Sequence, residues 1–392
     1  MLRRAMWRSI WAVIVAVGVL GVPAAPALAD SAPPASVNSN FENTYGASLS
    51  RDCGFSTPLP ANPATSLWLF CDTAIYGLNQ QLQYQLTGFI PGSTAAEGPY
   101  TAGEVPQGLS ELPTPPAAAL PTMPNSDGPA QFLKTPAGLV TSTGQPCNSA
   151  SNAYAASWIS GVTHEPSTGN PADVLITFGN YCVEGGLSFD PEGFGIAEYN
   201  PATNTVVSQT TLVTGPAVPP QQMLASPVFS GPHLYLFGSQ CASQDQFGDC
   251  TSGSIYLART GDTASSWDNP ASYQWRDGST WSPAASSATS IIPSATPISA
   301  VSVNNYSSAG QGIVLIEPTN AGGGFLAYEP VSSLTGTWKQ VISASVPCGS
   351  GSSLCHAIIG HPELSTTGEL MISYFDPAQG PAGHLMADAF AW

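Results

Sequence analysis

The chain has 392 residues, of which 43% are hydrophobic and only 8% charged, with 8 Lys and Arg against 25 Asp and Glu for a formal net charge of -17. That balance repels polyanions, and Arg51, Lys134, Arg259, Arg276 and Lys339 are scattered rather than clustered, so nucleic acid is excluded as a partner. Glycine and proline abound, and no long stretch carries the i, i+3, i+4, i+7 apolar period of an amphipathic helix, which excludes an all-α protein and points to an all-β one.

The first segment reads as a leader. Arg3, Arg4 and Arg8 precede an apolar run from Ile10 to Val22 and then Ala27-Leu28-Ala29, the pattern of a secretory signal peptide over residues 1–29 cleaved after Ala29. The run falls short of the roughly 20 apolar residues of a membrane helix, no other stretch approaches that length, and Asp30 rather than Cys follows the cut. A secreted, extracellular or cell-wall-associated protein with no membrane span is expected, its acidity serving solubility.

All cysteines, at 53, 71, 147, 182, 241, 250, 348 and 355, lie after the leader in an exported chain, so disulfides are expected. Sequential pairing, Cys53 with Cys71, Cys147 with Cys182, Cys241 with Cys250 and Cys348 with Cys355, would staple one local hairpin or loop each. No C-x-x-C or H-x-x-x-H spacing occurs, and no metal or cofactor is expected.

Five short apolar bursts follow one another along the chain: Leu67 to Thr73, Val174 to Asn180, Leu234 to Gln240, Ile313 to Thr319 and Leu370 to Asp376. Near-continuous apolarity over so few residues indicates a strand covered on both faces. Each burst follows another strand-like segment (Cys53 to Leu59, Tyr154 to Thr163, Met223 to Phe229, Ile298 to Tyr306, Ala357 to Leu364), and most precede a third (Gly195 to Tyr199, Ser254 to Arg259, Gly324 to Tyr328). Five such repeats predict a five-bladed β-propeller of antiparallel strands spanning residues 30–392 as one domain, with a two-sheet sandwich as the alternative. The segment His384 to Trp392 is the expected closing strand. Residues 92–137, rich in proline, predict a loop insertion, and residues 282–297 a low-complexity connector between blades.

In a propeller the first strand of each blade lines the central channel. Here those strands offer Asp52, Ser157 with Trp158, Ser226, Asn304 with Asn305 and Tyr306, and His361 with Glu363. Carboxylates, amides, hydroxyls and aromatics with few cations suit a neutral polyhydroxylated ligand, a polysaccharide or oligosaccharide, with Trp158, Asn305, Tyr306, His361 and Glu363 as substrate-binding candidates. Glycosidic cleavage needs two carboxylates across the bond, and Asp52 and Asp72 are the first pair, with Glu363 a third acid able to replace either. The competing role for each Asp is a turn or cap that bonds its own backbone, and for His361 a hydrogen-bonded wall or core position. The stretch Asp277-Gly278-Ser279-Thr280-Trp281 evokes a sialidase Asp-box without meeting its spacing, and no G-x-S-x-G, P-loop or H-E-x-x-H occurs.

The segments DCGFSTPLP (52–60) and SLWLFCDT (66–73) together resemble the D-G-G-Y-S…L-W-L-F-G-D-T opening of the domain-of-unknown-function 4185 proteins, secreted actinobacterial propellers that include glycoside hydrolase family 183. His361-Pro362-Glu363-Leu364-Ser365 with Gly368-Glu369-Leu370-Met371-Ile372-Ser373-Tyr374 is similar to that family's last blade. The match covers both ends of the chain well and the middle only as a loose propeller pattern. It implies a five-bladed propeller shaped like the arabinanase-type glycosidases, endo-acting cleavage of D-arabinofuranosyl linkages in mycobacterial-type wall polymers, and Asp52 and Asp72 as the essential acids. Cysteine stands at 53 and 71 where the family has glycine, two departures that a single disulfide explains together and that leave a substrate less room beside the acids. A monomeric, secreted glycosidase of arabinan-like polysaccharide is therefore the leading expectation, and a non-catalytic carbohydrate-binding or wall-associated propeller the alternative, with a purely structural secreted protein third.

Overall fold

The computed structural model describes residues 33–113, 128–141, 143–149, 153–164, 173–184, 189–214, 224–246, 249–320, 322–349 and 354–392, so the expected leader and the middle of the proline-rich stretch lie outside the described residues. In chain order, β1 (Ala35–Ser36) and a short helix α1 (Asn40–Tyr45) lead into blade one, made of β2 (Ser48–Leu59), β3 (Asn62–Leu78), β4 (Tyr84–Ile90), β5 (Thr94–Pro99) and β6 (Ser110–Glu111). Blade two is β7 (Tyr154–His164), β8 (Val174–Val183), β9 (Phe189–Asn200) and β10 (Thr205–Thr214). Blade three holds β11 (Leu224–Ser230), β12 (His233–Gln244), β13 (Cys250–Gly261), β14 (Gln274–Asp277), β15 (Thr280–Ser282) and β16 (Ile292–Ala295). Blade four is β17 (Ser302–Asn305), β18 (Ile313–Pro318), β19 (Gly324–Pro330) and β20 (Trp338–Ser345); blade five is β21 (His356–Gly360), β22 (Glu369–Asp376) and β23 (His384–Ala391). The described residues thus form five antiparallel sheets, and their first strands β2, β7, β11, β17 and β21 touch in that order and back to β2, closing a ring.

The apolar bursts are the second strands, and the packing explains their composition. In β3, Leu67 and Leu69 enter a cluster with blade two's Val174, Ile176 and Phe178, while Trp68 and Phe70 enter another with blade five's Met371 and Leu385. In β22, Leu370, Ile372 and Tyr374 face blade four and Met371 faces blade one. Each second strand is sandwiched between neighbouring blades, so both of its faces must be apolar, and each fully buried Leu, Ile or Phe contributes about 1.5–3 kcal/mol. The main apolar clusters accordingly lie at the blade interfaces around the ring.

Closure differs from the expectation. His384–Ala391 is the third strand of blade five, and β1 pairs outside it through Ala35↔Ala387 and Ser36↔Met386, so the N-terminal end of the described chain covers an edge that would otherwise stand open. Helix α1 follows directly. Ser39 caps it, Glu42 returns the bond to the Ser39 backbone, and Gly46 ends it in the left-handed region. Two segments read as loop and connector carry strands: β5 and β6 fall within 92–137, and β16 within 282–297 pairs with β13 on blade three itself.

The cysteines pair sequentially, as expected: Cys53–Cys71, Cys147–Cys182, Cys241–Cys250 and Cys348–Cys355. Among the described residues no helix is long and apolar enough to cross a membrane.

Candidate functional site

The site forms where the pairing of β2 with β3 is interrupted. Register runs Arg51↔Thr73 and then Cys53↔Phe70, so Asp52 opposes both Cys71 and Asp72 in a β-bulge. A regular strand would alternate and send Asp72 to the same side as Phe70, against blade five. The bulge instead lets two consecutive residues face blade two: Cys71 packs there with Ile159, and Asp72 meets Tyr154 and Trp158 of β7. A second irregularity follows at Cys53, which holds φ 66° beside Gly54 at φ 78°. The left-handed backbone at Cys53 costs a non-glycine residue about 1–2 kcal/mol. The Cys53–Cys71 disulfide bridges the two strands at this point.

The same device recurs around the axis. Ser226 in β11 (φ 49°) and Ala357 in β21 (φ 54°) also take left-handed backbone at bulges of their first strands. His356 therefore occupies in blade five the position that Asp52 occupies in blade one, one residue before the turned residue, and the two side chains meet: His356 Nε2 lies 3.0 Å from Asp52 Oδ2. Both are partly exposed. Burial disfavours the charged imidazole, but the hydrogen bond and charge of Asp52 outweigh it and hold the His356 pKa above its usual value. The other oxygen, Asp52 Oδ1, is shielded and has no hydrogen-bond partner among the described residues.

Asp72 is held differently. The Tyr154 hydroxyl donates to Oδ2 at 2.5 Å, and the Trp158 indole and the Gly92 backbone donate to Oδ1 at 2.9 and 2.6 Å. Gly92 reaches it with φ 93°, where an added Cβ would press on the Ser157 backbone at 3.2 Å. Burial pushes the Asp72 carboxyl up, the three donors pull it down, the Asp52 charge adds to the rise, and the balance leaves it at about 6. The two carboxylates are thus close enough to feel each other, with Asp52 leaning to blade five and Asp72 to blade two.

Of the residues read from sequence, Asp52, Asp72 and Trp158 come together here. Trp158 is also packed on Tyr181, ring centroids 4.6 Å apart. Asn305 is exposed on blade four, where its side chain accepts from the Ser307 backbone, a turn role. Tyr306 is fully buried between blades four and five with its ring against Trp392 at 5.4 Å, and so is a core residue rather than a ligand contact. His361 and Glu363 are likewise buried, joined through Ser56: His361 Nδ1 is 2.6 Å from the Ser56 hydroxyl, which also donates to Glu363. Burial drives His361 down to about 3 and Glu363 up to about 7, and the His361 ring stacks on Trp68 at 4.7 Å. Their contacts run to Ser56 and Trp68 of blade one, and neither makes a hydrogen bond to Asp52 or Asp72 among the described residues.

Asp52, Cys53 and Cys71 bring an oxygen and two sulfurs within 4.8 Å of one another. Both sulfurs are consumed by the disulfide, which leaves one carboxylate to offer a cation. The Asp277–Trp281 stretch forms the β14–β15 hairpin on the flank of blade three, where a shallow concavity lined by Arg276, Trp281 and Thr335 holds no carboxylate.

His356, Tyr154 and Gly92 were not singled out in the sequence. The available signal for His356 was its place beside Cys355 at the start of a first strand; Tyr154 opens the equivalent strand of blade two.

No known protein family matches the chain, and no curated protein matches it in sequence. Solved structures match it in shape. A Bacteroides ovatus protein carrying a provisional hydrolase designation superposes with a TM-score of 0.57 at 14% identity, over 91% of this chain and 87% of that one. An α-L-arabinofuranosidase from Podospora anserina gives 0.44 at 8% identity over 91% and 94% of the two chains, and a family 117 glycoside hydrolase from Zobellia galactanivorans 0.46 at 8% over 91% and 88%. At these identities the likeness to the Bacteroides protein shows the fold alone: an all-β propeller of five blades.

Proposed function

We propose that the protein is a secreted glycoside hydrolase that cuts a neutral furanosidic polysaccharide, such as the arabinan of a bacterial cell wall, with Asp52 and Asp72 as its two carboxylates. The observation that carries this reading is a pair of interacting carboxyl groups in unlike surroundings at one bulge: Asp52 beside an imidazole whose protonation it favours, Asp72 raised to about 6. Unlike environments divide acid from base. Asp72, protonated over the acidic range, gives its proton to the glycosidic oxygen as the C–O bond breaks. Asp52 serves the anomeric carbon, either by removing a proton from the attacking water or by direct attack, and His356 orients it. A carboxyl separation of roughly 5–5.5 Å in the complex with sugar gives retention of configuration, and roughly 6.5–9.5 Å inversion.

The low content of cations supports a neutral substrate, and the resemblance of residues 52–73 and 361–374 to the arabinan-cleaving propellers supports a furanoside. The leader pattern and the four disulfides support export. Incubating the purified chain with arabinan, mycobacterial-type arabinogalactan, xylan and glucan, and resolving released oligosaccharides by chromatography, tests the reading; products from the arabinans alone are expected.

One observation favours a second reading, a carbohydrate-binding propeller without turnover. Three of the roughly four lone-pair positions of the Asp72 carboxylate already accept bonds, from Tyr154, Trp158 and Gly92. Under that reading the chain is retained by arabinan and releases nothing.

A further inference from the structure

Above the bulge, the end of β3 from Thr73 pairs with β2 on one edge, from Ser48↔Tyr76 to Arg51↔Thr73, and with β4 on the other, so that β3 and β4 form the outer ribbon of this end of blade one. The pairs Tyr76↔Leu86, Leu78↔Tyr84 and Ala74↔Phe89 put Tyr76, Leu78, Tyr84, Leu86 and Phe89 on one face. That is the face of β3 on which Asp72 lies, since Asp72, Ala74, Tyr76 and Leu78 alternate along the strand. Leu78, Tyr84, Leu86 and Phe89 are 44–56% exposed, and with Leu82 at the tip they form the densest group of large exposed apolar side chains among the described residues.

The face joins the candidate site directly. The Phe89 ring meets Tyr154 edge-on at 5.2 Å, and Tyr154 is the residue whose hydroxyl holds Asp72. The ribbon is also built to keep its shape: Asn79 Oδ1 accepts from the backbones of Gln81 and Gln83 at 2.9 and 3.0 Å across the turn, and the Thr87 hydroxyl donates to the Ile75 carbonyl at 3.1 Å.

Its chemistry selects among occupants. From Thr73 to Ala96 there is no Asp, Glu, Lys, Arg or His, although the chain as a whole carries -17; the exposed polar side chains are instead amides, Gln80 and Gln81 at the turn and Gln83 and Gln85 alternating with Tyr84 and Leu86. Without a cation the ribbon has nothing for an anionic lipid headgroup, and without any charge it has no register for a charged peptide. Aromatic and aliphatic faces flanked by amides fit the C–H faces and hydroxyls of an uncharged sugar chain. We infer that the β3–β4 ribbon is a substrate platform that binds a neutral polysaccharide along several sugar units away from the bond cut at Asp52 and Asp72. This rests on the carbohydrate reading of the site and adds to it the surface that holds the polymer away from the bond cut.

The test uses the full mature chain with Tyr84→Ala and Leu86→Ala combined, both exposed so that folding is undisturbed, which thermal unfolding confirms. The control is Val331→Ala, 67% exposed on blade four. Retention by soluble arabinan or arabinogalactan in affinity electrophoresis is measured in the active chain and in an Asp72→Asn background. Removal of one aromatic and one aliphatic contact weakens retention about tenfold in both backgrounds, and lowers the ratio of polymer to aryl-arabinofuranoside kcat/KM by about the same factor, while the control matches the parent. Equal retention of the double variant and the parent overturns the platform. So does absence of retention of the parent by any neutral glycan, or a change confined to vesicle binding or to sedimentation as an oligomer. Retention that depends on Tyr84 and Leu86 with wild-type hydrolysis by Asp72→Asn sinks the catalytic assignment and leaves the platform standing.

Discussion

Replacing Asp72 by Asn should make the protein more stable at alkaline pH and leave it unchanged in acid. The carboxyl rises from 3.8 to about 6 on folding because burial outweighs the bonds from Tyr154, Trp158 and Gly92. A carboxyl raised in the folded state binds its proton more tightly there than when unfolded, so its contribution is fully present below pH about 4 and is lost as pH rises through about 6. Two pKa units correspond to about 3 kcal/mol, an upper bound because Asp72 keeps some exposure. Asparagine retains a carbonyl for the Trp158 and Gly92 donors, and the Tyr154 hydroxyl can turn to accept from the amide, so no donor is stranded. For a chain of this size, with roughly 2.1 cal/mol/K of unfolding entropy per residue, 2–3 kcal/mol is about 3–4 °C in Tm. The assay is thermal unfolding of both proteins at pH 4.5 and pH 8. Glu363, pushed to about 7 by burial, titrates in both and cancels in the difference. A Tm difference that is the same at both pH values, or a variant less stable at pH 8, refutes the argument that burial dominates at Asp72.

Tyr154→Phe removes one donor to the ionised form of Asp72 and should move the alkaline limb of the kcat/KM profile up by about 1–2 pH units, as expected for a hydrogen bond to a charge worth ~1.5–3 kcal/mol; an unmoved limb speaks against Asp72 as the acid. Glu111→Gln breaks a buried pair in which both carboxylate oxygens lie within 3.0 Å of Arg51 Nη1, with the guanidinium stacked 3.7 Å above Phe70. Stranding that cation should cost about 3–5 kcal/mol in denaturant unfolding, and a loss under about 1 kcal/mol would show that the pair is solvated. Replacing both cysteines by glycine, Cys53→Gly with Cys71→Gly, gives up a cross-link worth about 3 kcal/mol and relieves about 1 kcal/mol of left-handed strain, so a net loss near 2 kcal/mol with activity retained is expected; complete loss of activity would make the disulfide part of the site.

The sequence carried the blades openly because each second strand is covered on both sides, and a run such as Leu67 to Phe70 leaves water only when both of its faces are packed. Sequential pairing of the cysteines fits the same layout, since Cys53–Cys71 and Cys241–Cys250 each join strands adjacent both in the chain and in a blade, while Cys348–Cys355 closes a short loop between blades. The sequence did not carry the closure by Ala35–Ser36, where two residues show no periodicity, or the bulge that turns Asp72 toward blade two, because register slips leave little trace in residue type. The capping box Ser39-x-x-Glu42 that begins α1 was not read from the sequence. Among histidines the choice went by motif to His361, which is buried at a blade interface, while His356 reaches Asp52 only because both precede a left-handed residue that the sequence does not advertise. Tyr306 drew attention as an aromatic on a first strand, yet the chain turns just past β17 and drives the ring into the core.

The measurement that bears most directly on the carboxylate pair is the initial rate of reducing-end release from arabinan by the parent chain, Asp52→Asn and Asp72→Asn, each shown to be folded by its near-ultraviolet circular dichroism. Both variants should lose activity by at least about a thousandfold, the scale of removing a general acid or base together with its charge in the transition state. Full activity in either one would contradict the assignment of catalysis to Asp52 and Asp72.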